Sequence, residues 1–157
     1  MTLQQRHTKR EFSAGGIVYR KLKIKNLKLK IENVEWLVVQ HSQHKGWVFP
    51  KGLIGDKIEG EGKEETAIRE VKEEGGVDAK IVSKSLKPVT YYYTWEGQKI
   101  FKTVYYYLME YLSGSEKDHD WEVSDAVWLP TEKVEEKLSF KSDQEAFAEA
   151  IKLINSK

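Results

Sequence analysis

The chain has 157 residues, no cysteine, and 26 basic against 25 acidic side chains for a net charge of +1; this is the length of one domain with a single buried core. Charges so balanced exclude a basic coat for nucleic acid and give no electrostatic case for a membrane surface, and the missing cysteines exclude a disulfide framework and a thiol nucleophile. No apolar run reaches the length of a membrane span, and the opening MTLQQRHTKREF lacks the apolar core of a signal peptide, so a cytoplasmic enzyme is expected.

In chain order, residues 1–10 read as a flexible basic lead, and residues 11–157 as one domain. Phe12 to Arg20 is patterned as a strand, in which Gly15-Gly16 marks a close approach of another segment. KLKIKNLKLKIENVEW alternates lysine and apolar residues with period two and slips phase at Asn26. The pattern predicts two strands of a long hairpin at a sheet edge, its lysines blunting that edge rather than forming a phosphate-binding patch. Trp36–His41 is a buried strand leading into WVFPKGLIGDKIEGEGKEETAIREVKEEGGV, the stretch Trp47 to Val77.

That stretch crosses a Pro-Gly turn and a glycine-rich loop and then becomes a helix. Glu70, Glu73 and Glu74 fall at i, i+3 and i+4, so their carboxylates leave one side of the helix; Ala67 and Val71 give the adjacent side an apolar stripe that can lie on a sheet. Carboxylates gathered this way repel one another unless a cation sits among them, and hard oxygen donors suit Mg²⁺ or Mn²⁺. Helices with Glu and basic residues at four-residue spacing are also common on solvated faces, and Glu65–Arg69 and Arg69–Glu73 fit that plainer description.

Beyond the helix, Ala79–Leu86 reads as a short strand, and VTYYYTWEGQKIFKTVYYYLMEY as an aromatic hairpin turning at Glu96-Gly97. On its second arm Lys102, Val104 and Tyr106 share a face; most of these aromatics belong to a core, yet an amine for phosphate and a ring for a base is what a nucleotide site needs. Ser113–Asp120 is a polar loop and Asp125–Leu129 the last strand. Thr131 is the expected cap of a short helix through Leu138. Ser142 or Asp143 then starts a helix with Ala146, Phe147, Ala150, Ile151 and Ile154 inward. Strands interleaved with helices and hairpins predict a mixed sheet between helices.

The central stretch resembles the Nudix box: Gly55, Glu61, Arg69, Glu70, Val71, Glu73, Glu74, Gly76 and Val77 satisfy its spacing. The usual Pro-Lys-Gly is Pro50-Lys51-Gly52, three residues early, so Leu53–Lys57 carries a three-residue insertion; Gly52 is the structural counterpart and Gly55 fits by accident. Gly75 stands where the family often has Thr, which loosens the helix end. The resemblance implies an α/β/α sandwich with a mixed central sheet and the box as loop-helix-loop. It extends to Glu11-Phe12-Ser13-Ala14-Gly15-Gly16, Tyr92–Thr94, Phe101-Lys102-Thr103-Val104, Trp121-Glu122-Val123 and Phe140-Lys141 with Asp143, which are similar to the diadenosine tetraphosphate hydrolase subfamily.

That resemblance implies hydrolysis of a phosphoanhydride with magnesium, or manganese, held by Glu70, Glu73, Glu74 and the Gly52 carbonyl. It implies an orienting role for Arg69, a phosphate contact or a structural surface role for Lys51, and a general base that is either a helix glutamate such as Glu73 or the distant Glu122. Lys102, Tyr106 and Phe140 match the lysine and the two rings that bind polyphosphate and adenine; an apolar ring at Phe140 also suits a plug between helices. The expected reaction is asymmetric cleavage of diadenosine tetraphosphate to ATP and AMP. The alternatives are removal of pyrophosphate from RNA 5′ ends or nucleoside triphosphates, and a module that only binds nucleotides. The near-neutral charge weighs against RNA as the main substrate, and the complete set of box glutamates against the binding module.

Overall fold

The structure is a computed structural model and describes residues 8–22 and 28–156. Eight strands form one mixed sheet: β1 (Lys9–Lys21), β2 (Val34–His41), β3 (Trp47–Val48), β4 (Lys51–Leu53), β5 (Val77–Ile81), β6 (Val89–Trp95), β7 (Gln98–Gly114) and β8 (Val123–Pro130). Three α-helices accompany it, α1 (Lys63–Gly75), α2 (Thr131–Lys137) and α3 (Lys141–Asn155). Among the described residues no helix is long and apolar enough to cross a membrane.

β1 and β7 make the spine. They pair in parallel from Lys9↔Ile100 to Tyr19↔Glu110, and β1 is buried on both faces from Ser13 to Tyr19. The other edge of β1 is shared, antiparallel, by β4 (Gly15↔Lys51) and β2 (Tyr19↔Trp36); β6 and β5 divide the far edge of β7. Alternation along these strands produces two cores. Under α1 lie Ala14, Val18, Leu37, Val39, Ala67, Val71, Tyr107 and Met109. Under α2 and α3 lie Ile17, Trp36, Val38, Phe49, Val104, Tyr106, Leu108, Phe147, Ala150 and Ile154. Helix, sheet and helix form the expected three layers.

The two adjacent glycines of β1 make different close approaches. A Cβ on Gly15 would stand 2.1 Å from the Pro50 carbonyl oxygen, where β4 crosses, and one on Gly16 would stand 2.6 Å from Val71 of α1. The aromatic hairpin turns where expected: Trp95 faces Gln98 across Glu96 and Gly97, both at positive φ (49° and 78°), the two-residue turn that suits strand twist.

Several boundaries differ from the sequence reading. Lys9 and Arg10 belong to β1 rather than to a lead, because Ile100 and Phe101 of β7 pair with them. The predicted long edge hairpin is instead the β1–β2 pair. Its turn region, 23–27, with Lys23 and Lys25, lies outside the described residues; Ile31–Asn33 is a 3₁₀ turn, and β1 and β2 each have neighbours on both sides. β5 begins at Val77 and ends at Ile81. Thr131 does not cap α2: its Oγ1 accepts from Trp36 Nε1 (2.8 Å) and donates to the Ile31 carbonyl (2.6 Å), a buried tie between layers. The polar loop is ordered by a 3₁₀ turn at Glu116–Asp118 and by the Asp120 amide, which donates to the Glu73 carbonyl (2.8 Å).

Candidate active site

Helix α1 delivers its glutamates to one place because its other face is fixed. Ala67 and Val71 are fully buried against the sheet. The helix stops at Gly76, in the left-handed conformation (φ 76°), whose N–H donates to the Lys72 carbonyl (3.0 Å). Gly75 packs tightly: a Cβ there would meet Leu37 at 2.6 Å, so this glycine seats the helix end on β2 rather than only loosening it. Glu70 and Glu74 are consequently buried, at 3% and 7% exposure, while Glu73 reaches toward solvent.

Arg69 ties the cluster together. Its Nε and Nη2 form a two-pronged pair with Glu61 (2.8 and 2.9 Å), and Nη1 donates to Glu70 (2.9 Å) and Glu73 (3.1 Å). Glu61 also accepts from Thr66 Oγ1 (2.7 Å), and the arginine holds its carboxyl below the usual range. Among the described residues Glu74 accepts from the Lys51 backbone N–H alone (3.1 Å). Burial, then the neighbouring Glu70, push Glu74 up to about 8. Burial raises Glu70 as well, against the pull of Arg69 and Lys57. For Glu73, burial acts upward but the pairs with Lys57 and Arg69 outweigh it and hold the group low.

The two candidate glycines are separated by the geometry. Gly52 lies against Glu70, where a Cβ would come within 2.2 Å of the carboxylate; Gly55 (φ 74°) has nothing within 4 Å. Only Gly52 is in contact with the acids. Glu122 arrives from the segment before β8, held by its own N–H to Asp120 (3.0 Å) and its carbonyl to Ser42 N–H (3.0 Å). Its carboxylate lies 3.9 Å from Lys57 Nζ, which is 2.5 Å from Glu73. The loop between β4 and α1 thus places an amine among the acids.

On the side facing α3, Lys51 links this cluster to a second group of residues. Burial acts to lower its amine, but Asp143, Tyr91 and Glu74 outweigh burial and raise it. Lys102 lies 3.6 Å from Glu11, which accepts from Tyr93 OH (2.5 Å); burial and then Lys51 lower the Lys102 amine. Phe140 is 44% exposed at the head of α3, edge-on to His44 (5.5 Å). Tyr106 is not at this mouth. It is 1% exposed, packs on Phe49 and donates to the buried Asp143 (2.6 Å), because β7 carries it under α3; its ring is core and cannot receive a base.

Sequence reasoning gave no catalytic or binding role to Lys57, Asp143, Tyr91 or the Glu11–Tyr93 pair. Tyr91 was within reach of it. Counting outward from the Glu96-Gly97 turn sets Tyr91 directly opposite Lys102. Lys57 had no such signal, since no local periodicity says where a loop lysine will reach.

A family model described as the NUDIX domain matches residues 29–150. The chain belongs to the Nudix family. Nudix hydrolases act on nucleoside diphosphate derivatives and generally use divalent metal ions. A curated relative, the MutT-named protein MutT4 of Mycobacterium tuberculosis, is 35% identical over 109 residues, which is 69% of this chain and 42% of that protein. The chain thus spans about two fifths of its length. Among solved structures, a binary complex of the Caenorhabditis elegans Ap4A hydrolase superposes with a TM-score of 0.68 at 20% identity, covering 94% of this chain and 99% of that one. The NUDIX domain of Shewanella oneidensis NrtR complexed with ADP ribose gives 0.66 at 17% identity, covering 96% and 92%. These likenesses establish the fold.

The Nudix residues present suit a divalent ion. Among the described residues no three acidic or histidine side chains converge on one point as they stand, because Arg69 and Lys57 are interleaved with them. The donors are nevertheless hard carboxylate oxygens, that of Glu74 buried with one backbone donor among the described residues, and an amine lies between Glu73 and Glu122.

Proposed function

We propose that this Nudix protein hydrolyses dinucleoside polyphosphates, with asymmetric cleavage of diadenosine tetraphosphate to ATP and AMP as its main reaction, in a cytoplasmic setting. The observation that carries the reading is the position of Lys51. Its backbone N–H holds Glu74 of the acid cluster (3.1 Å), and its amine lies within electrostatic reach of Tyr91 and of the Lys102 amine, which it repels. A long anionic chain laid from the acids toward Lys102 would meet two amines, and the exposed Phe140 ring and Tyr93 lie on that side for a base. The fold likeness to an Ap4A hydrolase supports the same choice.

Glu70, Glu73, Glu74 and the Gly52 carbonyl are assigned to magnesium, or manganese, which when bound would neutralise the phosphates and polarise the reacting phosphorus. Arg69 keeps Glu70 and Glu73 in place while Glu61 anchors it. A water attacks phosphorus in line: its oxygen forms the new P–O bond, the bridging P–O bond on the far side breaks, and one nucleotide leaves with the bridging oxygen. Glu122 is the proposed acceptor of the water's proton. It enters from a separate segment at the cluster's rim, whereas Glu73 is paired with two cations that hold its carboxyl low. Lys51 and Lys102 hold phosphate oxygens.

The test is magnesium-dependent turnover of diadenosine tetraphosphate, beside nucleoside triphosphates and 5′-triphosphorylated RNA, in ¹⁸O-labelled water with products resolved by mass. Glu74→Gln is expected to lose turnover by about 10²-fold or more while keeping its fold and its nucleotide binding. Unchanged turnover in that variant removes the metal assignment, and faster cleavage of triphosphates than of the dinucleotide removes the substrate assignment.

A further inference from the structure

The inserted loop is the feature for which the reaction above has no use. Lys57 is its last residue, and its amine is 2.5 Å from the Glu73 oxygen that also accepts from Arg69, 3.9 Å from Glu122 and within electrostatic reach of Glu70. It therefore occupies the space that oxygen donors from α1 and from the segment before β8 would share around an ion. Both partners are partly exposed, Lys57 at 39% and Glu73 at 28%, and a pair so exposed is a weak contact that a divalent ion at the same oxygen outcompetes.

We propose that Lys57 is a tethered counter-ion of the metal site. It holds the carboxylates of α1 and Glu122 while no divalent ion is bound, is displaced when the ion enters, and then pairs with the phosphates of the bound nucleotide. The inference rests on the metal assignment made above. A displaced amine stays on its loop beside the site, and a metal-loaded site gains negative charge only from the incoming phosphates. Lys57 thereby couples metal occupancy to nucleotide binding, and acts as a positioning residue.

Mn²⁺ binding to the nucleotide-free protein, followed by the paramagnetic resonance of free Mn²⁺, tests the first half. Lys57→Gln is expected to bind Mn²⁺ about three- to tenfold more tightly than the wild type, Lys57→Arg like the wild type, and Lys63→Gln, on the surface near Tyr105, like the wild type. The second half is read by titrating ADP and adenosine into the Mg²⁺-saturated proteins. Lys57→Gln is expected to weaken ADP binding about threefold or more and to leave adenosine unchanged. Equal or weaker Mn²⁺ affinity in Lys57→Gln, or undiminished ADP affinity, overturns the proposal. A wild type that binds no Mn²⁺, or a Glu74→Gln variant that binds it as well as the wild type, overturns the metal assignment itself; wild-type binding that Glu74→Gln loses and Lys57→Gln leaves unchanged overturns this inference alone.

Discussion

Glu74 is surrounded by backbone and by the apolar packing of α1, with a single N–H as its donor. Its carboxyl is pushed up to about 8, so in metal-free protein it carries a proton that the unfolded chain has already lost at neutral pH. The folded state then binds more protons than the unfolded one, and stability falls as pH rises toward and through the folded value. Glu70, also raised, acts in the same direction; the lowered His41 and His44 oppose it below their ordinary range near 6.5, and the lowered Lys102 opposes it at alkaline pH below its ordinary 10.5. In a chelator, the melting temperature is expected to drop by about 3–6 °C between about pH 7 and about pH 9. Saturating Mg²⁺ should flatten that slope, since the ion takes the place of the proton. Scanning calorimetry at several pH values, with and without the ion, checks both.

Tyr106 illustrates a different limit at the same scale. Its place on the Lys102 face was legible, but not its depth: that face is half-buried at Gln98 and Lys102 and buried at Ile100, Val104 and Tyr106, and nothing local separates the lysine from the ring that α3 covers. Tyr106→Phe removes the donor to Asp143, which is 3% exposed, and is expected to cost about 1–3 kcal/mol in denaturant unfolding. Were this ring a platform for a base, the change would be nearly silent.

Among the elements, α1 was the most readable, because its spacing of acids and its apolar stripe are properties of one continuous period. What the period omits is the helix terminus. Gly76 is at φ 76°, and a Cβ there would come within 2.2 Å of the Ser115 carbonyl oxygen. Gly76→Ala therefore combines left-handed strain with a clash against the Ser115–His119 turn that fastens the helix end. It should lower the melting temperature by about 5 °C or more and, through Glu73 and Glu74, weaken Mn²⁺ binding. The lysine-rich stretch before β2 was misread for a related reason. Its period of two is that of a strand, yet Ile31–Asn33 turns as 3₁₀ so that Leu29 and Ile31 can cover the core beneath α3; tertiary burial overrode the local pattern.

For the molecule as a whole, the layers were foreseeable from alternation alone, while the pairing of strands was not. Nothing local in Phe12 to Arg20 says that its partner lies in the second arm of a distant hairpin, and the depth of Lys51, Glu74 and Tyr106 follows from that pairing. The site is composed where β1, β4, α1 and the β8 approach meet, so its outline was readable from the box, and its electrostatics only from the assembled sheet.

The parallel partnership of β1 with β7 also sets an order of events during synthesis. Strand β1, buried from Ser13 to Tyr19 in the finished sheet, is synthesised before β7 and completes its pairing only once Glu110 has left the ribosome. Until then the nascent polypeptide displays an unsatisfied, sticky segment, and closure of that long loop delays completion of the sheet. A chaperone able to shield β1 would have its clearest task there.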